Sequence, residues 1–193
     1  MPTSRHNPGR GYRNEFRIIA GQWRRRRLHF PDLPGIRPSP DRVRETLFNW
    51  LQGRVEGARC LDLFAGSGAL GLEALSRGAA QVVFVDQERA AAAAIREHLA
   101  LLGAAGGTVE HAEALVWLAR EPVPFDLVFL DPPFDADLLP AVCARLAEGW
   151  LKPGACVYVE HAAEREVQPP EGWRVLRASR AGRVAYALWS AGP

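Results

Sequence analysis

Lysine is almost absent: arginine supplies 23 of the 24 basic residues, and Lys152 stands alone. Cysteine is scarce too, with only Cys60, Cys143 and Cys156 and no C-x-x-C pair. An odd number of cysteines in apolar stretches excludes a disulfide framework and reads as buried free thiols in a reducing compartment. No run approaches the roughly 18–20 apolar residues that span a bilayer. Residues 1–13 lack the apolar core of a secretory signal. The five histidines are scattered without ligand spacing, so no metal is expected. Neither a phosphate-binding G-x-x-x-x-G-K-[ST] loop nor a nucleophile elbow occurs. A soluble cytoplasmic protein without a membrane partner is the expectation.

What is present is 193 residues, 48% hydrophobic and 24% charged, enough for one ordinary domain with a short appendage. The net charge of +2 conceals a division along the chain. Residues 1–60 carry thirteen arginines against five acids, net +8, whereas residues 61–160 are net −8 and residues 161–193 net +2. A basic arm on an acidic body points to a polyanion held by the arm. The arginine-to-lysine ratio carries no functional weight, because the same bias runs through the acidic body.

Residues 1–14, rich in Arg, Gly, Pro and Asn, predict a flexible basic tail. Residues 16–20 and 26–30 read as two strands of a basic hairpin, followed by a proline-punctuated loop. Ser39-Pro40-Asp41 reads as a helix start, with the Ser39 hydroxyl as cap. Val43, Leu47, Trp50 and Leu51 then form an apolar face, with Arg42, Arg44 and Glu45 away from it. From Arg59 strands alternate with helices: strands at 59–64, 81–86, 108–111, 125–131 and 155–161, helices following the first four. That alternation implies a parallel sheet covered on both faces. Residues 173–178 and 183–189, separated by a tight turn at 179–182, predict a terminal hairpin instead of a further crossover.

Open α/β sheets bind ligands beyond the carboxyl ends of their strands, and four stretches fall there or at the helix start. Asp62-Leu63-Phe64-Ala65-Gly66-Ser67-Gly68-Ala69-Leu70-Gly71 follows a buried strand and opens a helix. Its glycines let a nucleoside cofactor approach the backbone, and Gly66 to Gly71 match G-x-G-x-x-G. Asp86 ends the second strand of the alternation, twenty residues beyond Gly66, where a carboxylate can accept both ribose hydroxyls. Asp131-Pro132-Pro133-Phe134 ends the fourth. Two prolines fix the Asp131 carboxylate and the Pro132 carbonyl as acceptors beside the flat Phe134 ring, which suits an exocyclic amine on a nucleobase. The fourth stretch, Arg37 to Leu51, concentrates charge around a helix start. Glu113 follows the third strand, within reach of a cofactor's adenine.

The glycine loop after Asp62 and the Asp131 to Phe134 turn, together with the terminal hairpin, resemble class I S-adenosylmethionine-dependent methyltransferases. Among them the chain resembles the RsmD family of 16S rRNA guanine-N2 methyltransferases, through Arg17 to Gly21 with Trp23, Arg37 to Leu51, Asp62 to Arg77 and Asp131 to Phe134. The resemblance implies a Rossmann-like α/β domain over residues 58–193, with a seven-stranded mostly parallel sheet ending in an antiparallel hairpin. A hairpin-and-helix extension over residues 15–57 would precede it. Asp62, Phe64, Ala65, Gly66, Ser67 and Gly68 would line the cofactor's methionine and ribose, Asp86 and Gln87 the ribose, and Glu113 and Ala114 the adenine. Asp131, Pro132, Pro133 and Phe134 would hold the target base, and S-adenosylhomocysteine would be the product.

Such a chain would act as a monomer on 16S rRNA, within the small ribosomal subunit or an assembly intermediate. Arg17, Arg24, Arg25, Arg26, Arg27, Arg37 and Arg42 would grip its phosphates. The same acceptors also suit adenine N6 or a protein glutamine amide. G-x-G-x-x-G alone would fit a nicotinamide-dependent oxidoreductase, and the basic arm alone a non-catalytic RNA-binding module.

Overall fold

The computed structural model describes residues 14–32, 39–133 and 137–192. Most of the expected tail, together with Arg37 and Phe134, lies outside the described residues. The chain runs β1 (Asn14–Arg17), β2 (Arg27–Phe30), α1 (Asp41–Trp50), β3 (Arg59–Asp62), α2 (Ala69–Ser76), β4 (Gln81–Asp86) and α3 (Arg89–Leu102). It continues through β5 (Gly107–His111), α4 (Ala114–Trp117), β6 (Phe125–Leu130), α5 (Leu139–Leu146), β7 (Leu151–Ala162), β8 (Arg174–Ala181) and β9 (Val184–Ser190). A seven-stranded sheet has the order β5-β4-β3-β6-β7-β9-β8. Its first five strands are parallel, and β9 and β8 return antiparallel. This is the Rossmann-like α/β arrangement with a terminal hairpin that the alternation implied.

Side chains alternate across each strand, so the sheet divides the interior into two layers. Cys60, Phe84, Phe129 and Tyr158 face α1, α2, α3 and the β1–β2 hairpin. Leu61, Val85, Val128, Leu130 and Val157 face α4 and α5. Phe16, Ile18, Leu28 and Phe30 of the hairpin are buried in the first layer, so the hairpin shares its core with the sheet. Burial also explains the cysteines: all three are free and buried, and desolvation pushes the Cys60 and Cys143 thiols up to about 12. Among the described residues, no helix is long and apolar enough to cross a membrane.

Three local expectations are corrected, each by a partner distant in the chain. The first strand stops at Arg17. Beyond it the Ile19 and Ala20 amides donate to the Glu73 carboxylate of α2, at 2.8 and 3.0 Å. The cap of α1 is Pro40, with no side-chain cap bond; the Ser39 hydroxyl instead donates to Glu160 of β7. Arg44 does not lie on a polar face. Its side chain is fully buried, donating to the carbonyls of Arg17 (2.8 Å) and Ser39 (3.2 Å) and to Asp41 (2.6 Å).

Arg44 meets Glu73 at 3.7 Å, with neither side chain exposed, and Arg77 pairs with the other Glu73 oxygen at 2.6 Å. Gly21 sits so close to α2 that an added Cβ would lie 1.8 Å from the Ser76 carbonyl oxygen. These contacts seat the extension on α2. Removing one partner of a buried charge pair leaves the other uncompensated, at a cost of about 3–5 kcal/mol. Glu73→Ala is therefore expected to lose about that much stability in urea unfolding, whereas Glu45→Ala, an exposed position on α1, should stay within about 0.5 kcal/mol.

Candidate functional site

Strand order reverses between β3 and β6, which opens the crevice where such sheets bind ligands. Asp62 ends β3 and is buried, and its carboxylate accepts the Gly71 amide at 2.9 Å. That bond ties the first turn of α2 to the strand and closes the intervening loop. Gly66 and Gly68 take positive φ values of 50° and 79°, which side-chain-bearing residues rarely adopt. Gly71 is required for space: a Cβ there would lie 2.2 Å from the Phe84 ring. Ala65 is held to β4 through the Val85 carbonyl at 3.0 Å, and Ser67 is buried beneath the turn. Phe64 packs, half-buried, against the second core layer.

Asp86 ends β4 and meets this loop. Its carboxylate accepts from the Gly66 amide at 2.6 Å and the Glu88 amide at 2.7 Å. A carboxylate has about four acceptor positions, so Asp86 keeps capacity for hydroxyl donors. Burial raises its pKa, against the pull of those two amides. Gln87 is exposed beside it. Glu113 is a helix cap: its two oxygens accept from the Leu115 and Val116 amides, each at 3.0 Å. Ala114 begins α4 and is buried. The loop, the Asp86 carboxylate and the start of α4 thus line one edge of the sheet. The positive-φ glycines and the remaining acceptors of Asp86 fit a nucleoside ligand there.

Asp131 follows β6 directly. Burial, then Glu160 and Asp62, hold its carboxyl well above the usual range. Pro132 is buried and Pro133 exposed. Leu130 pairs with Val159 in the β6–β7 register, so the next residues, Asp131 and Glu160, are neighbours on one face. Glu160 accepts from the Ser39 hydroxyl and from Tyr158 at 2.8 Å. Its carboxyl is raised by burial and drawn back by these two donors. Tyr158 is raised as well, by burial first and then by Glu160. Among the described residues, no group of three or more His, Cys, Asp or Glu is placed to hold a metal ion.

The expected arginine grip is uneven. Arg24, Arg25, Arg26 and Arg42 are exposed. Arg17 is paired with Asp41 at 2.9 Å, and Arg27 with Glu15. Sequence reasoning passed over Glu160, Tyr158 and Ser39 as a group. The available signal was Glu160 itself, an acid closing the apolar run from Ala155 to Val159.

Four carboxyls with raised pKa values, those of Asp62, Asp86, Asp131 and Glu160, favour protons in the folded chain over the unfolded one. Asp62 is pushed up to about 7 from 3.8, by burial first and then against the Gly71 amide. The folded state therefore binds the extra proton between those values, and its stability falls as pH rises through that window. Unfolding measured from pH 4 to 8 is expected to show a shallower decline for Asp62→Asn than for the unaltered protein. Parallel curves would contradict the assignment.

Comparison with known proteins places this geometry in a family. The family profile described as "Conserved hypothetical protein 95" matches residues 16–190. Ribosomal RNA small subunit methyltransferase D of Escherichia coli is 46% identical, over 94% of this chain and 93% of its own. The protein of the same name from Haemophilus influenzae is 41% identical, over 92% and 94%. A solved putative methyltransferase from E. coli superposes with a TM-score of 0.87 at 45% identity, covering 93% of this chain and 99% of its own. With matches of this identity along nearly the whole length of both partners, the chain belongs to the RsmD family.

Proposed function

We propose that the protein transfers a methyl group from S-adenosylmethionine to the exocyclic N2 amine of a guanine in 16S rRNA, leaving S-adenosylhomocysteine. The carrying observation is the Asp131-Pro132-Pro133 turn, set at the carboxyl end of β6 beside the glycine loop of β3. When bound, the cofactor supplies a methyl group on a positively charged sulfur. The loop from Asp62 to Gly68 would hold its methionine and ribose, Asp86 and Gln87 its ribose hydroxyls, and Ala114 its adenine. Glu113 would act there through α4, whose amides its carboxylate already caps.

A guanine N2 amine is a poor nucleophile because its lone pair is delocalised into the ring. The Asp131 carboxylate and Pro132 carbonyl would accept its two hydrogens, aim the lone pair and stabilise positive charge as the nitrogen gains the methyl. Asp131 would then take the departing proton. Phe134 would stack on the base, which must leave its neighbours in folded RNA to reach the turn. Arg24, Arg25, Arg26 and Arg42 would grip phosphates on the extension side, joined by Arg37 and, on release of their ion pairs, by Arg17 and Arg27.

Pure protein, labelled S-adenosylmethionine and undermodified small subunits should yield labelled N2-methylguanosine on nucleoside analysis. Label in N6-methyladenosine, or in protein, would contradict the reading. Asp131→Ala is expected to lower transfer at least about 100-fold while calorimetry shows cofactor binding retained. Alanine at Arg24, Arg25 and Arg26 together should flatten the salt dependence of RNA affinity, by a slope of about 0.7 per lost phosphate contact.

A further inference from the structure

Beside the Asp131 turn the carboxyl ends of β6 and β7 border a half-open pocket of about 310 Å³, lined by Pro132, Pro133, Leu139, Glu160, Arg165 and Val167 among others. This size belongs to small-ligand pockets, and the lining combines a flat apolar shelf with a single buried acid. Glu160 is only 3% exposed. Both hydroxyls that hold it donate to the same oxygen, Oε1. A carboxylate gripped in this way cannot rotate freely, and the two donors favour its acceptor form. Continuing the Leu130–Val159 pairing by one residue sets the Glu160 backbone beside that of Asp131, at about the 4.8 Å spacing of neighbouring strands.

We propose that Glu160 selects guanine at this site, its carboxylate accepting the N1–H of a base laid on the Pro132–Pro133 shelf while Asp131 takes the neighbouring N2 amine. The inference rests on the guanine-N2 reading above and extends it to the residue that excludes other bases. Guanine presents two adjacent donor groups, N1–H and the N2 amine, to two adjacent acids. Adenine presents an amine beside an unprotonated N1, whose lone pair would face the Glu160 carboxylate. A site built to bind an N–H rejects an analogue lacking it much more strongly than an apolar pocket rejects a changed shape. Ser39 and Tyr158 are positioning residues in this scheme, acting through Glu160.

The test replaces the guanosine that the enzyme labels with 2-aminopurine, in reconstituted small subunits carrying a ligated synthetic segment. This base keeps the 2-amine and lacks the N1–H. The unaltered enzyme is expected to favour guanosine by about 10–100-fold in kcat/KM, the scale of one lost hydrogen bond to a charged group. Glu160→Gln offers an amide donor to the bare N1 and should shrink that ratio toward unity. Tyr158→Phe, which removes one donor from Glu160 and keeps the ring, should shrink it in the same direction and serves if Glu160→Gln does not fold. Equal rates on both bases for the unaltered enzyme overturn the proposal, as does a ratio left unmoved by both variants. Failure of the guanine-N2 reading is distinguishable, because the unaltered enzyme would then form no N2-methylguanosine on natural subunits.

Discussion

Arg44 and Glu73 meet at 3.7 Å with no side-chain surface exposed, and much of the molecule is arranged around the need to satisfy them. An unpaired charge in that interior would cost several kcal/mol. Glu73 is answered by the Ile19 and Ala20 amides and by Arg77. Arg44 is answered by two carbonyls and Asp41. Apart from Arg77 at the end of α2, the donors come from the β1–β2 hairpin and α1, and the acid comes from the helix that the glycine loop opens. The extension is thereby set against the proposed cofactor loop. One of the Arg44 acceptors is the Ser39 carbonyl, and the same residue's hydroxyl reaches Glu160 at the proposed base pocket. A chain of polar contacts thus runs from α2 through the extension to β7.

At the other end of that chain lies a deliberate-looking conflict of like charges. Asp62, Asp131 and Glu160 converge at the ends of β3, β6 and β7; burial raises the proton affinity of all three, and at Asp131 repulsion from Glu160 and Asp62 adds to it. Donors are distributed unequally. Asp62 has the Gly71 amide and Glu160 has two hydroxyls, whereas Asp131 is raised with repulsion from both neighbours and no lowering partner among its causes. Under the proposed function, such a cluster would receive a cationic ligand and the donor-rich edge of a substrate. This is the pattern expected where a positively charged sulfur and a base bearing two adjacent donor groups are brought together.

Much of the architecture was legible because local pattern and tertiary structure agree. The apolar strands from Arg59 to Leu130, the glycines after Asp62 and the twin prolines after Asp131 declare themselves within a few residues. The misreadings share one cause. Ile19 and Ala20 leave strand geometry for a carboxylate more than fifty positions away. Ser39 abandons its helix for an acid 121 positions away. Arg44 sits on the face a helical wheel would call polar, and is buried because α2 supplies Glu73. Helical and strand periodicities report which face is apolar; they carry no record of a buried polar partner from another element. Glu160 was visible only as an acid at the end of an apolar strand, a signal whose meaning depends on Asp131 lying beside it.

The electrostatic core of this reading is tested most directly by proton release on cofactor binding, measured by titration calorimetry near pH 7 in buffers of different ionisation enthalpy. S-adenosylmethionine, with its positive sulfur, should drive protons off the Asp62, Asp131 and Glu160 cluster. S-adenosylhomocysteine, with a neutral sulfur, should release fewer, and Asp131→Asn should reduce the difference between the two. Equal proton release by both ligands, unchanged in that variant, would contradict the assignment of this cluster to the transferring methyl group.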